Sequence, residues 1–534
     1  MKYFSEYFKI VLDKIISYII MCHINIRELI MNVRVQISRH QSQFIDLEYV
    51  VPKDHIIRLA DTTIDLIIQK YGFLSEVKNK CYIQNRKSYN PVLLFKVLVY
   101  GYIYKTPSSR ALEEQCRKDF YLKWFVDGIE PSYRTLCYFR ENNAKLIEDF
   151  FYAFISEMTR EGIVKLEKCA IDGMKVKGNV SKKFYDISKL EKKKEILQLE
   201  NEIYLKNFDN ENNIDIKKIK KKYKATQKRL SNINRCLLRI NNTNIKKLNF
   251  CDPEASSLNN HGHHYPGYNA QAISDSDSHM IVSISSKMSC NDFNEVVPEV
   301  KKFEEKTGLK IKQIVADKGY ASFKNIVVME DELNIDFVTR LQDLDPDINN
   351  FKYNEETDIY TCQKGKELKF HQNKIGDNGK KYIVYKCHDC KGCEVFSKCS
   401  KSKTGKSIYI HLDNDREMQF RAKMDTPYYR NLERLRKGMI ENKFGTLRNM
   451  MGYIPLLLRG TVKTGTELYL YALAFNLKRL KSIFRNKKGR TFFIFLHVKL
   501  RIVNFYCKKL NFRAIWQKLC KLSFKIEIFQ RCTE

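Results

Sequence analysis

Three acidic residues constrain the fold of this chain most, because each lies in a segment that is otherwise apolar or basic. Asp172 lies inside the alternating, strand-like segment "GIVKLEKCAIDGMKVKGNV", and Asp317 ends a short apolar run in "KIKQIVADKGYAS". Glu441 lies in a segment with helical spacing, "NLERLRKGMIENKFGTLRNMMGYIP". Carboxylates in such surroundings cost free energy unless they are compensated, and a hard divalent cation with oxygen ligands is the usual compensation. The three acids therefore predict a site that joins a strand, a strand exit and a helix face.

The helix that carries Glu441 is predicted to span about residues 427–451. One face places Glu441 between the basic residues Lys437 and Arg448. A salt-bridged surface helix would show the same pattern, and each acid taken alone would fit an ordinary capping or turn residue. Together with Asp172 and Asp317, Glu441 instead indicates two Mg²⁺ ions about 4 Å apart, an arrangement that supports phosphoryl transfer. The buried stripe of this helix is predicted from four apolar residues, Ile440, Phe444, Leu447 and Met451.

Four of the 16 cysteines are clustered, in "YKCHDCKGCEVFSKC". Their number matches a structural zinc site, in which a closed tetrahedral shell folds a small loop-rich segment. A chance cluster of reduced thiols is the alternative, an iron–sulfur site fits the spacing less well, and His388 could replace one thiolate. The flanking segments have strand patterns, so we predict a β-rich insertion that holds zinc. The predicted zinc ligands are Cys387, Cys390, Cys393 and Cys399.

The chain is strongly basic, with 95 Lys and Arg against 62 Asp and Glu, which gives a formal net charge of +33 over 534 residues. Such an excess favours a polyanionic partner, although a composition rich in Lys, Ile and Asn, as an AT-rich coding sequence gives, accounts for part of it. No segment reaches the roughly 18 uncharged apolar residues that a membrane span needs. Twelve cysteines are scattered singly, which is typical of a reducing compartment. We therefore expect a cytoplasmic protein with no membrane partner.

The chain is predicted to have an N-terminal helical domain. Its short helices carry Arg134 and Arg140, which suit a DNA-binding module, and a dimerisation or packing domain with solvated arginines is the alternative. A charged segment further on is predicted to be a pair of exposed helices, with either a solvated face or a DNA contact. The predicted regions are an N-terminal extension, not needed by the functional protein, at 1–30; the helical domain at 31–160; the first part of an α/β core at 161–345, with the charged helices at 186–250; the cysteine insertion at 346–412; the last part of the core at 413–482; and a basic extension at 483–534.

Several motifs follow one another in a specific order. Together they resemble the DDE transposases of bacterial insertion sequences, in the group with an N-terminal helical domain and a four-cysteine segment ahead of the catalytic glutamate. The resemblance covers roughly residues 31–480. It implies an α/β fold: an RNase H-like catalytic core, an N-terminal all-helical domain and a small β-rich cysteine (zinc) insertion. The motifs are "SSRALEEQC", "EPSYRTLCYFR", "AIDGMKVKGN", "DPEASS", "YPGYNAQ", "SCNDF", "VADKGYAS", the four cysteines and "RKGMIENKFGTLRNMMGY".

The resemblance also implies an activity. The chain would bind the terminal inverted repeats of its element and carry out strand cleavage and strand transfer with two Mg²⁺ or Mn²⁺ ions per active site. It would work on DNA as a homodimer or a larger synaptic complex, in association with the bacterial nucleoid. The catalytic, metal-binding residues would be Asp172, Asp317 and Glu441, and the DNA-binding residues Arg134, Arg140, Lys437 and Arg448.

Two positions depart from the family pattern. Lys437 stands where an arginine is usual, with Arg436 beside it, and Arg448 stands where a lysine is usual. The charge is kept, but a bidentate guanidinium and an ammonium group are not equivalent. The alternative function is a catalytically dead relic that only binds DNA. A structure-selective nuclease on the same fold would leave the helical domain and the zinc segment unexplained.

Overall fold

The structure is a computed structural model that describes residues 45–73, 89–206, 213–242, 245, 247–260, 262–341, 350–376, 381–390, 393–400, 402, 405–412, 414–452 and 454–485. The predictions for residues 1–30, and for the basic extension from residue 486 onward, lie outside the described residues. By its contacts the chain divides at Val50, and the short helix α1 (Leu47–Val50) belongs to the first unit. Everything that follows concerns the second unit.

The N-terminal part of this unit is helical, as its sequence predicted. The helix α3 (Pro91–Ile103) has apolar residues on every side, which is typical of a helix that is buried all round. Asn90 caps it by accepting a hydrogen bond from the backbone N–H of Val92, and Pro91 occupies the first turn. The helices are α2 (Ile56–Tyr71), α3 (Pro91–Ile103), α4 (Ser109–Lys118), α5 (Phe120–Phe125), α6 (Tyr133–Asn142) and α7 (Ala144–Arg160).

A mixed sheet forms the centre of the unit. Strand β5 (His263–Asp275) is antiparallel to both of its neighbours, β6 (Ile281–Lys287) and β1 (Lys168–Lys177). Strands β7 (Gln313–Val315) and β8 (Asp336–Val338) continue the sheet beyond β1 and are parallel to it. This is the strand order and direction of an RNase H-like core. The short strand β4 pairs with the first part of β5. The strands are β1 (Lys168–Lys177), β4 (Ser256–Asn260), β5 (His263–Asp275), β6 (Ile281–Lys287), β7 (Gln313–Val315) and β8 (Asp336–Val338).

An exposed helical hairpin interrupts the sheet between β1 and β4, where the sequence predicted a pair of charged helices. It has its own small core, in which Leu190 and Leu197 of the first helix pack against Ile233 and Cys236 of the second. A two-stranded ladder closes the base of the hairpin. Its elements are β2 (Phe184–Tyr185), α8 (Ile187–Lys206), α9 (Asn213–Asn242) and β3 (Leu248–Asn249).

The cysteine segment forms a second, antiparallel sheet in the order β13-β12-β11-β10-β9. The strands predicted for this segment are therefore present. A one-turn helix, α12 (Phe396–Cys399), lies between its last two strands. The strands are β9 (Phe351–Asn354), β10 (Ile359–Cys362), β11 (Glu367–Ile375), β12 (Lys381–Lys386) and β13 (Ser407–His411).

The remaining helices pack the central sheet and connect it to the helical region. One continuous core contains residues of the helical region, the central sheet and the last two helices. In α14 the four residues of the predicted stripe are buried, which confirms the helical spacing. None of the helices in the described part of the chain is long and apolar enough to cross a membrane. These helices are α10 (Val296–Thr307), α11 (Phe323–Val327), α13 (Asn414–Asp425), α14 (Pro427–Met451) and α15 (Thr461–Arg485).

Candidate active site

Asp172 lies in the middle of β1, as predicted, and its side chain is 18% exposed. Its Oδ1 accepts a hydrogen bond of 2.8 Å from the backbone N–H of Gly173. The pKa of Asp172 is raised to about 6, mainly by burial and to a smaller extent by the carboxylates of Asp317 and Asp292, against the opposing effects of the Gly173 N–H and Arg436. Asp172 is therefore a carboxylate whose charge is poorly compensated by the protein.

Asp317 follows the end of β7, which confirms the predicted strand exit. It caps a 3₁₀ turn, Lys318–Tyr320, because its Oδ1 accepts a hydrogen bond of 2.7 Å from the backbone N–H of Gly319. Its carbonyl oxygen accepts a hydrogen bond of 2.8 Å from Thr339 Oγ1, just beyond β8. The turn thus holds the side chain of Asp317, and Thr339 holds its backbone carbonyl group.

The strand register brings the two aspartates together. Strands β1 and β7 are parallel neighbours, and Ala170 pairs with Val315. This is the last pair of the ladder, and Asp172 and Asp317 each lie two residues beyond it in the chain. The carboxylate of Asp317 contributes to the raised pKa of Asp172, so the two acids lie near each other. The two carboxylates therefore meet at the same edge of the sheet.

Glu441 reaches this edge from α14, which packs against β1. The helix is fixed to the sheet by a hydrogen bond of 2.7 Å from Ser274 Oγ to the carbonyl oxygen of Met439. Arg436 lies between the two acids: its Nη1 is 3.6 Å from Asp172 Oδ2, and its Nη2 is 3.2 Å from Glu441 Oε1. All three predicted acids thus belong to one site.

Two residues of this site were missed by the sequence analysis. Lys437 was predicted instead of Arg436, because helical spacing alone does not decide which of two adjacent basic residues of α14 turns toward the sheet. Asp292 lies in the "SCNDF" motif and was not considered as a site residue. Its Oδ1 accepts hydrogen bonds from Asn269 Nδ2 at 2.7 Å and from Gln271 Nε2 at 2.5 Å.

The donor set fits a hard divalent cation in its chemistry. Three carboxylates from separate elements offer oxygen ligands. A bound cation would offset both the burial and the carboxylate repulsion that raise the pKa of Asp172. The guanidinium of Arg436 already bridges two of them as a positive charge. Within the described residues, however, no three Asp, Glu, His or Cys side chains are grouped as in a formed metal site.

The four predicted zinc ligands line one cavity of about 290 Å³ in the cysteine segment. Cys387 and Cys390 are buried and hydrogen-bonded to each other, and burial together with this hydrogen bond raises the pKa of the Cys387 thiol to about 11. A fifth cysteine, Cys362, lines the same cavity and was not predicted to do so. His388 is exposed, its ring meets that of His371 edge to face with the ring centres 5.9 Å apart, and it is not among the residues that line the cavity.

The predicted DNA-binding residues fall into two groups. Lys437 and Arg448 are exposed on the same side of α14 as Glu441, and Arg134 is exposed at the start of α6. The guanidinium of Arg134 is 5.8 Å from the ring centre of Tyr133, and that of Arg110 is 5.2 Å from the same ring. These three residues, Arg110, Tyr133 and Arg134, form an exposed basic and aromatic patch, called here the α6 patch.

Arg140 has a different role from the predicted one. It is 3% exposed and donates hydrogen bonds to the carbonyl oxygen of Pro107 at 2.8 Å and to Ser109 Oγ at 3.0 Å. The buried carboxylate of Glu467 contributes to raising its pKa. A guanidinium buried in this way cannot reach a phosphate, so the prediction that Arg140 binds DNA is wrong.

Comparison with known proteins places these elements in a family. Residues 45–142 match the family described as "Transposase domain (DUF772)", and residues 361–481 match the family described as "Transposase DDE domain". The chain therefore contains a transposase DDE domain. The second match contains the four clustered cysteines and Glu441, whereas Asp172 and Asp317 precede it. A transposase DDE domain is a polynucleotidyl transferase domain.

Comparisons with curated proteins and with solved structures give no closer relative for this chain. No curated protein matches this transposase. Among solved structures, it is similar to the piggyBac transposase in a synaptic complex with hairpin DNA, with 11% sequence identity, a TM-score of 0.28, and coverage of 84% of this chain and 76% of that one. A likeness at this level carries no conclusion about mechanism.

Proposed function

We propose that this transposase binds the terminal inverted repeats of an insertion sequence, cleaves the DNA there and joins the freed 3′-hydroxyl to target DNA. The observation that carries the proposal is the convergence of Asp172, Asp317 and Glu441 at one sheet edge, through the register of β1 with β7 and the bridge of Arg436. The chemistry requires no covalent bond between protein and DNA. We further propose a homodimer or a larger assembly that holds both ends.

Each acid has a defined part in this proposal. Asp172 and Asp317 hold divalent cations from the rigid sheet, and Glu441 completes the set from α14. When bound, Mg²⁺ or Mn²⁺ supplies an activated water or hydroxyl and stabilises the leaving oxygen. Arg436 orients the carboxylates of Asp172 and Glu441 from 3.6 Å and 3.2 Å.

Lys437 and Arg448 are proposed to hold the DNA backbone beside the scissile phosphate, because they flank Glu441 on the exposed face of α14. The α6 patch is proposed as a second contact, on the helical region. Its tyrosine and two arginines can bind phosphate oxygens and stack on sugar or base surfaces. The basic hairpin helix α9 is the alternative location for this contact.

Replacing Arg134 by alanine is expected to weaken binding to the element ends. The slope of log Kd against log salt concentration should fall by about 1, the amount expected for the loss of one phosphate contact. Electrophoretic mobility-shift titrations at several salt concentrations measure both quantities. Arg140→Met is the matched control, because Arg140 lies in the same helix as Arg134 but is buried and cannot reach DNA. It should lower the thermal stability, since Glu467 loses a buried partner, and leave the salt dependence unchanged. An unchanged salt dependence in Arg134→Ala would move the contact to α9.

We also propose that Cys387, Cys390, Cys393 and Cys399 bind one structural zinc ion. The support is that all four line one cavity, whose surrounding core is small. The zinc would stabilise the β9–β13 sheet and take no part in the chemistry.

The function is tested with DNA that flanks the reading frame. Inverted repeats are expected there, and the purified protein should bind a labelled fragment that contains one of them. With Mg²⁺ present it should cleave at the element boundary and join the product to a second DNA. Binding without cleavage by the wild-type protein would favour the catalytically dead relic.

A further inference from the structure

A chain of buried hydrogen bonds lies behind the candidate active site. Tyr320 Oη donates to Gln271 Oε1 at 2.5 Å, and Gln271 Nε2 donates to Asp292 Oδ1 at 2.5 Å. Tyr320 and Gln271 are fully buried. The three residues come from the turn after β7, from β5 and from the loop after β6, so the chain links three separate segments of the core.

This chain lies on the opposite face of the sheet from Asp172. Gln271 pairs with Gly173 across the antiparallel β1–β5 ladder, and directly paired residues share a face. Asp172, one residue earlier, points to the other face. A Cβ atom at Gly173 would lie 2.3 Å from Asp292 Oδ1 and 2.7 Å from Gln271 Nε2, so only glycine leaves room for the carboxylate here.

The direction of each hydrogen bond is fixed by chemistry. An ionised carboxylate only accepts, so Asp292 requires the amide nitrogens of Gln271 and Asn269 to face it. Gln271 must then turn its oxygen outward, where it accepts from the Tyr320 hydroxyl. The amide therefore has one orientation in which all its partners are satisfied.

The far end of the chain is the turn that carries Asp317. The backbone N–H of Tyr320 donates to the carbonyl oxygen of Asp317 at 3.2 Å, and Asn325 Nδ2 donates to the carbonyl oxygens of Tyr320 at 2.8 Å and Phe293 at 2.7 Å. The turn is thereby attached to β5, the strand next to Asp172, and to the loop of Asp292.

We propose that Asp292, Gln271 and Tyr320 are positioning residues that set the separation of the Asp172 and Asp317 carboxylates from behind the sheet. The inference rests on the proposed function, in which these two aspartates hold the cations. Asp292 acts here as a hydrogen-bond acceptor and not as a ligand, because its Oδ1 is already used by two amide donors behind Gly173.

Tyr320→Phe tests the proposal with the smallest change. It removes one hydroxyl, leaves the ring in place and frees Gln271 to turn. Binding of Mn²⁺, measured from the fall in the free ion's electron paramagnetic resonance signal, should weaken by roughly tenfold, the lower end of the range for residues that orient metal ligands, because Tyr320 acts on Asp317 indirectly through the turn. The Mg²⁺ concentration for half-maximal cleavage should rise in parallel, with binding of the element ends unchanged.

Tyr152→Phe is the matched control, because this tyrosine is equally buried and its hydroxyl bonds to Ser283 Oγ at 2.9 Å on β6. It should cost similar thermal stability and leave Mn²⁺ binding unchanged. If both variants lose the same Mn²⁺ affinity, the loss in Tyr320→Phe results from general destabilisation, and the proposal is overturned.

Two variants of Asp292 distinguish a role as hydrogen-bond acceptor from a role as metal ligand. Asp292→Asn keeps an oxygen for the two amides and should bind Mn²⁺ nearly as wild type, whereas Asp292→Leu should lose affinity as Tyr320→Phe does. If Asp292→Asn loses Mn²⁺ binding as completely as Asp317→Asn, Asp292 is a ligand and the positioning role is wrong. A wild-type protein that binds Mn²⁺ but does not cleave would contradict the proposed function alone, and the Mn²⁺ comparison would still decide this inference.

Discussion

Asp317→Asn is expected to lower Mg²⁺-dependent cleavage of an element end by about a thousandfold or more, because the loss of one charged ligand removes several kcal/mol of transition-state stabilisation. Asparagine keeps the shape of the side chain and can still cap the turn at Gly319. Binding to the DNA end should therefore remain nearly unchanged. Cleavage of an end-labelled fragment and mobility-shift titration measure the two effects separately.

The same loss is expected for Asp172→Asn and Glu441→Gln, and the three losses should not add, since a metal site without one ligand is already inactive. Asp277→Asn is the matched control: it is an exposed aspartate in the turn after β5, paired with Lys165 at 2.9 Å on the surface. Its cleavage rate should equal that of wild type. Activity close to wild type in any of the three site variants would remove that residue from the triad.

Loss of zinc is expected to have the second large effect, on folding. The purified chain should contain one zinc ion, and Cys393→Ser should release it and lower the stability of the cysteine segment by several kcal/mol. The physical reason is the size of the local core, which consists of Leu368, Tyr385, Ile408 and two of the cysteines themselves. So few apolar side chains do not hold a five-stranded sheet without further stabilisation. Metal analysis and thermal unfolding followed by circular dichroism measure the two outcomes.

Cys362→Ser provides the control for this experiment. Cys362 lines the same cavity from β10, and its sulfur accepts a hydrogen bond of 3.3 Å from the backbone N–H of Lys366. The variant should keep its zinc. Protein that contains no zinc, or a Cys393→Ser variant as stable as wild type, would show that the four thiols are ordinary reduced cysteines.

The parts of the site that follow from local patterns could be predicted from the sequence. Strand alternation placed Asp172, the end of an apolar run placed Asp317, and helical spacing placed Glu441 and its buried stripe. Each of these signals depends on neighbours within a few residues. The strand order of the core was available only through the family resemblance, because the register of β1 with β7 joins segments far apart in sequence.

The parts that were missed depend on contacts between distant segments. Arg140 has the spacing of an exposed helical residue, but it packs against Pro107 and Ser109, which only the fold brings to it. Arg436 and Asp292 become site residues through partners on β1 and β5. A single sequence carries no local signal for any of these contacts, since each joins residues that are separated by 21 positions or more in the chain.

The last helix, α15, packs against β6 of the catalytic sheet and against α3 and α7 of the helical region, and Glu467 within it accompanies the buried Arg140. We therefore expect the helical region and the central sheet to unfold as one cooperative unit. A translation product that stops before residue 461 would leave the apolar faces of α3 and α7 uncovered. Such a fragment would be removed by proteolysis or aggregation instead of persisting as a free repressor of its own element. Truncating mutations are therefore expected to abolish the proposed chemistry and the proposed DNA binding together.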